Sequence, residues 1–214
     1  MANYTRSRML DDVGPNGGGY GATNPLNRRF DYGVSTNDVP NVFNFSAQWQ
    51  IPNAPLHGLA NTLVNGWELT ALTSWRSGFP YTVFSGVDNS FSGVGSDRAD
   101  YIGGQANLDP GRSHGELVQE FFNVSAFVPN AIGTFGSSGK NVLRGPRFFD
   151  TDLGLLKDFA IVERVRLQFR AEFFNAFNNV NFGMPGNFLG TGSTGQITSA
   201  NSPRILQLAM KLAF

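Results

Sequence analysis

The sequence predicts an all-β protein: an antiparallel transmembrane β-barrel fragment of five to six strands, with long extracellular loops and short periplasmic turns. Three observations lead there. In the last eleven residues, Arg204 to Phe214, every second residue back from the terminal aromatic is large and apolar as far as Leu206, and the interleaved set is small or polar except for Ile205. The same period of two recurs in several upstream segments. The links between those segments alternate between short and long. A period of two gives a strand one apolar and one wetter face.

Residues 2–8 read as the end of a first strand. Across 41–51, Phe43, Phe45, Ala47, Trp49 and Ile51 oppose Asn44, Ser46, Gln48 and Gln50. Across 67–76, Trp67, Leu69, Ala71, Thr73 and Trp75 oppose Glu68, Thr70, Leu72, Ser74 and Arg76. The stretch 149–157 is weaker, with Phe149, Leu153 and Leu155 against Asp150, Asp152 and Gly154. Segment 164–173 is the clearest, with Val165, Leu167, Phe169, Ala171 and Phe173 on one side. Arg164, Arg166, Gln168, Arg170 and Glu172 occupy the other. Ten residues match the roughly 9–11 that a tilted membrane strand needs. At the end, Leu206, Leu208, Met210 and Leu212 share a face.

Composition permits this fold and removes alternatives. Lys+Arg and Asp+Glu both number 16, so no basic surplus draws the chain to nucleic acid. The absence of cysteine excludes disulfide scaffolds and thiolate metal sites. No apolar run approaches the roughly 18 residues of a membrane helix, which a barrel does not need. Met1 to Arg8 lack the apolar core of a secretory signal. An outer-membrane protein needs such a signal, so residues 1–214 are expected to be the C-terminal part of a longer chain.

The links set the topology. Four residues separate Asp158 from Glu163, enough for a tight turn, and a moderate link with Pro52, Pro55 and Gly66 joins Ile51 to Trp67. Residues 9–40, 78–148 and 175–203 are long and rich in Gly, Asn, Ser and Pro. Counting back from a periplasmic Phe214, every long loop falls outside, as in outer-membrane barrels. Structureless loops this long are uncommon in compact soluble domains. Trp67 and Trp75 share a face about 26 Å apart along the strand, or about 20 Å along the membrane normal. Trp67 is expected at the periplasmic interface with Trp49 and Phe214, and Trp75 at the outer one with Phe149 and Phe173.

The stretch NVLRGPRFFDTDLGLLKDFAIVERVRLQFRAEFFNAFNNVNFG, residues 141–183, resembles the C-terminal region of TonB-dependent receptors of the Oar-like type. FNFSAQWQIP (43–52), NGWELTALTSWRSGFPYTV (65–83), FNVSAFVPNAIGTFG (122–136) and GQITSANSPRILQLAMKLAF (195–214) are similar to the same family in the same order. The resemblance implies a 22-stranded barrel of the Gram-negative cell outer membrane, with an N-terminal plug and a motif that contacts TonB. This chain would supply the last strands, and Phe214 part of an assembly signal. Implied partners are outer-membrane lipid, the remaining strands and plug, the barrel-assembly machinery, and TonB through the N-terminal part. The implied role is energy-coupled uptake or surface binding of a ligand.

Catalysis lacks its parts, so the chain is expected not to be an enzyme and to need no cofactor. His57 and His114 are the only histidines and fall in links. Asp88, Asp97 and Asp100 lie among glycines without the spacing of a calcium loop. Gly17, Gly18 and Gly19 read as loop, not as a phosphate cradle. The polar row Arg164, Arg166, Arg170 and Glu172 must face the lumen, since charge at the lipid midplane costs about 2–4 kcal/mol. Its expected role is pairing between strands or docking the plug. Tyr81, Phe84, Phe91 and Tyr101 in the 78–148 loop are the ligand-binding candidates, a mix suited to sugar or peptide. The same alternation also fits a soluble secreted β-sandwich binding module, for example a carbohydrate-binding one.

Overall fold

A computed structural model describes residues 1–14, 22–24, 26–162 and 165–214. Six long strands form one sheet: β1 (Ala2–Arg6), β2 (Asn41–Gln50), β3 (Trp67–Arg76), β4 (Phe148–Val162), β5 (Val165–Phe174) and β6 (Ile205–Ala213). Their order in space is their order in sequence, and every pair is antiparallel. This meander follows from the links, because neighbouring antiparallel strands need only a turn or a loop between them. The sheet is not closed: among the described residues β1 and β6 each pair on one side only.

The register puts every apolar row on one face. Trp49, Leu69 and Leu155 line up across β2 to β4, and Ala171 and Leu208 continue that row. A slip of one residue would move a strand's whole apolar set to the other side. No second sheet among the described strands packs on the apolar face. Leu69, Leu153, Leu206, Leu208, Met210 and Leu212 are therefore exposed. A sandwich buries such a face against a second sheet, so the arrangement is that of a barrel wall.

Two expectations about this wall are corrected. The weak segment expected to end at Lys157 runs on to Val162 in β4, because Phe159 and Leu167 continue the apolar pairing with β5. The Ile51–Trp67 link contains a helix, α1 (Gly58–Val64). Trp67 opposes Lys157 while β4 continues five residues further, a stagger of about 17 Å at 3.3 Å per residue. Strands inclined to a barrel axis require such a stagger.

The described residues of the three long segments are also not the structureless loops expected. They fold together into a cap over one end of the wall. Tyr81, Val83, Ala99, Phe122, Ala126, Phe127, Leu143 and Leu189 form its core. Two-residue strand pairs join Leu10–Asp11 to Gly33–Val34, Pro80–Tyr81 to Leu143–Arg144, and Asp100–Tyr101 to Phe127–Val128. Helix α2 (His114–Gln119) starts at Ser113, whose hydroxyl and the Glu116 carboxylate form a capping box. Residues 175–203 stitch in through Phe84 N–H to Asn187 O (2.8 Å) and Phe121 N–H to Gly195 O (2.7 Å).

Candidate functional site: the two faces of the wall and its cap

On the apolar face, Tyr4, Phe43, Trp75 and Phe149 are consecutive partners across β1 to β4. These four aromatics form one row at the cap end, and outer-membrane barrels carry aromatic rows at their interfaces. Phe173 is outside this row: it pairs with Leu153 and Leu206, near the cap end of its own strand. At the opposite end stand Trp67 and Phe159, with Trp49 beside Leu69 and Phe214 just past β6. Thr73 and Thr151 satisfy one another on this face, with their hydroxyls 3.2 Å apart.

The other face is a polar ladder. Gln48 Nε2 donates to Glu68 Oε1 (2.8 Å), and Ser74 Oγ to Asn44 Oδ1 (3.0 Å). Asn44 Nδ2 reaches Asn3 Oδ1, and Gln168 Nε2 donates to Asp158 Oδ1 (3.1 Å). Of the arginine row, Arg166 opposes Ala160 and Ala213. Arg170 lies 3.8 Å from Glu172 on its own strand, a loose and exposed pair. Arg164 lies outside the described residues, as do Gly17, Gly18 and Gly19.

Where this face meets the cap, two open hollows of about 310 and 450 Å³ share Asp150 and Asp152. Asn3, Asn44 and Ser74 line the first, and Phe148, Asn175, Asn181 and Asn201 the second. Asp152 Oδ1 accepts from Asn175 N–H (2.9 Å), while Asp150 Oδ1 is buried without a partner among the described residues. Asn181 clamps the Phe149 backbone through both its amide groups. This collection of acceptors and amides beside a ring suits a hydroxyl- or ammonium-bearing solute. Its signal was the pair Asp150 and Asp152 on the polar side of a strand.

Ion pairs between distant segments hold the cap. Arg144 pairs with Asp38, and Lys140 with Asp11; Asp38 and Lys140 are almost wholly buried. Burial pushes the Asp38 carboxyl up, but the hydrogen bond from Arg144 and the Met9 N–H (2.6 Å) outweigh it and hold it below the ordinary value. Asp11 is lowered in the same way by Lys140 and Ser35, against its burial. Arg98 stacks 3.7 Å from the centre of the Phe30 ring and donates to Phe30 O (2.9 Å). Burial lowers its pKa, with Asp31 acting in the other direction.

Within the cap the ligand candidates separate. Tyr81 and Phe84 are buried, Tyr81 edge-on to Phe122 and Phe84 stacked on Phe188 at 4.9 Å. Tyr81 belongs to the cap's small core and also lines an open hollow of about 420 Å³ with Phe79, Met184 and Asn187. Phe91 is 76% exposed, in a left-handed conformation (φ 57°), and Tyr101 is 43% exposed. Asp97 is fully buried and accepts from Ser90 Oγ (2.6 Å), Ser90 N–H (2.7 Å) and Asn130 Nδ2 (2.9 Å). Asp100 accepts from Ser137 N–H (2.7 Å). No group of three or more metal-ligating side chains occurs among the described residues. His57 precedes α1 and His114 opens α2, its ring edge-on to Phe182.

A family profile described as "outer membrane beta barrel domain" matches residues 1–207. The chain belongs to that family. Its location is accordingly the outer membrane, where barrels of this kind turn an apolar band to the lipid. In outer-membrane barrels generally, short links lie on the periplasmic side and long ones outside the cell. No curated protein and no solved structure matches the chain.

Proposed function

We propose that this domain is the C-terminal wall of a TonB-dependent receptor of the Oar-like type, in the outer membrane of a Gram-negative bacterium. In this reading the full-length protein closes the barrel from β1 and β6, carries a plug inside it, and takes up a ligand with energy supplied through TonB. The domain performs no chemistry of its own. The ligand is a sugar or a peptide, met first by the exposed cap residues Phe91 and Tyr101 and then by the hollow at Asp150 and Asp152. The observation that carries the reading is the six-stranded meander with one lipid face, one polar face and two unpaired edges. Open edges in lipid leave N–H and C=O groups unsatisfied at several kcal/mol each, so further strands must complete the wall. The motif resemblance at 141–183 supports this receptor type.

The test begins with the native polypeptide. Fractionation of the host, with an antibody to residues 175–203, should find a band several times larger than 23 kDa in the outer membrane. Growth on a panel of oligosaccharides and peptides should then show one nutrient lost both on deleting this gene and on disabling TonB. A 23 kDa outer-membrane species, or uptake that survives loss of TonB, would overturn the receptor reading.

A further inference from the structure

Helix α1 sits in the short link between β2 and β3, yet it folds onto the lipid side of the wall. Two contacts place it there. The Trp67 indole N–H donates to Leu63 O (3.0 Å), and the Lys157 ammonium donates to Asn65 O at the helix C-cap. Trp67 and Lys157 are paired across β3 and β4 on the apolar face. Lys157 is 1% exposed, held between the Trp67 and Phe159 rings at 4.7 and 5.0 Å. A cation at a helix C-terminus is favoured by the exposed carbonyls and the dipole, so these contacts pin the helix end.

The link is also stapled at its base. Asn65 exchanges two hydrogen bonds of 2.8 Å with the Ala54 backbone, and Asn53 Oδ1 accepts from Gly66 N–H (3.2 Å). Seven residues are too few for a helix to persist unaided or to cross a bilayer. Within α1, Leu59, Ala60 and Leu63 fall at i, i+1 and i+4 on one apolar stripe, and Leu56 lies just before the helix start. Within it Leu59 is 83% and Leu63 64% exposed, and no described residue covers them.

We propose that α1 is an interfacial membrane helix whose leucines insert among the acyl chains of phospholipid in the periplasmic leaflet. The apolar stripe continues the lipid band at Trp67, Leu69 and Leu155, at the level where amphipathic helices lie in a bilayer. The position of the hairpin excludes the other occupants offered by a complete barrel. Additional strands would pair with β1 or β6, whereas β2 and β3 are already flanked on both sides. A plug would lie on the lumen face, behind the wall. Lipid is what remains next to α1. The helix would then fix the depth of the wall at its periplasmic end, opposite the aromatic girdle at the cap end.

The inference rests on the outer-membrane location and is tested in the full-length protein in phospholipid vesicles. Nitroxide labels are placed singly at 59, 63, 155 and 156, and their collisions with oxygen and with a water-soluble nickel chelate are compared. Labels at 59 and 63 should follow 155, colliding with oxygen at least threefold more than with the chelate. Chelate accessibility at 59 and 63, or inaccessibility to both probes, with lipid still reported at 155, would overturn the helix proposal and leave the wall intact. Water at 155 would instead overturn the orientation of the wall.

Discussion

Leu155 and Leu156 are adjacent residues of one type on opposite faces, and arginine at each position separates the lipid side from the lumen side. Leu155 is the eighth of the fifteen residues of β4, near the middle of the crossing, and pairs with Leu69 and Ala171. Leu156 pairs with Glu68 and Arg170. Leu155→Arg puts a guanidinium into hydrocarbon at a cost of about 2–4 kcal/mol. That is about 30- to 700-fold in the assembly equilibrium. Leu156→Arg puts the same group into a polar lumen next to a carboxylate, where an exposed pair is worth only about 0–1 kcal/mol. The assay is the amount of trypsin-resistant, urea-unextractable full-length protein in the outer membrane. Leu155→Arg should be nearly absent and Leu156→Arg close to wild type. Equal loss or equal tolerance would refute the assignment of faces.

Other consequences concern the cap. Phe122→Ala removes a ring from its core and should cost about 3–5 kcal/mol, seen as faster proteolysis within 78–148; Phe91→Ala should stay within about 0.5 kcal/mol. Asp38→Ala leaves Arg144 without its carboxylate and should free the 7–40 segment to exchange its amide hydrogens, with Met9 among the first. The lowered carboxyls of Asp11 and Asp38 stabilise the cap above the ordinary aspartate value of 3.8, and that contribution is lost as pH falls through their folded values. Cap protection should therefore hold at pH 5 and decline only below about 3.8, whereas unchanged protection at pH 2 would contradict the role given to these pairs. A Cβ at Gly78 would lie 1.8 Å from Gly145 O, backbone against backbone, where β3 passes into the cap. Gly78→Ala should lower assembly yield, a loss that Gly93→Ala, in open space, should match only in part through its positive φ.

The wall was legible because a period of two survives in any strand with lipid on one side. Residues 67–76 carry their bounds openly, and Trp67 and Trp75 mark both ends. Segment 149–157 looks short in sequence because Lys157 breaks the apolar row. The structure keeps the lysine there by giving its ammonium a helix carbonyl and two aromatic faces, a tertiary arrangement absent from local pattern. The cap looks like loop in sequence, since its core is assembled from positions such as Val83, Phe122 and Leu189 that share no period. Its charges Asp38 and Arg144 are 106 residues apart and invisible as a pair in sequence. Two local signals are present: the Ser113 to Glu116 capping spacing for α2, and the leucines at 59 and 63, four residues apart, for α1. Tyr81 and Phe84 look like any exposed loop aromatics until the cap's packing shows them inside.

The most direct test is a lipid-restricted carbene label applied to outer membranes bearing the full-length protein, followed by residue-level mapping along β5. The wall as described predicts label on Leu167, Phe169, Ala171 and Phe173 and none on Arg166, Gln168, Arg170 and Glu172. Uniform labelling, no labelling, or label on the arginine row would contradict it.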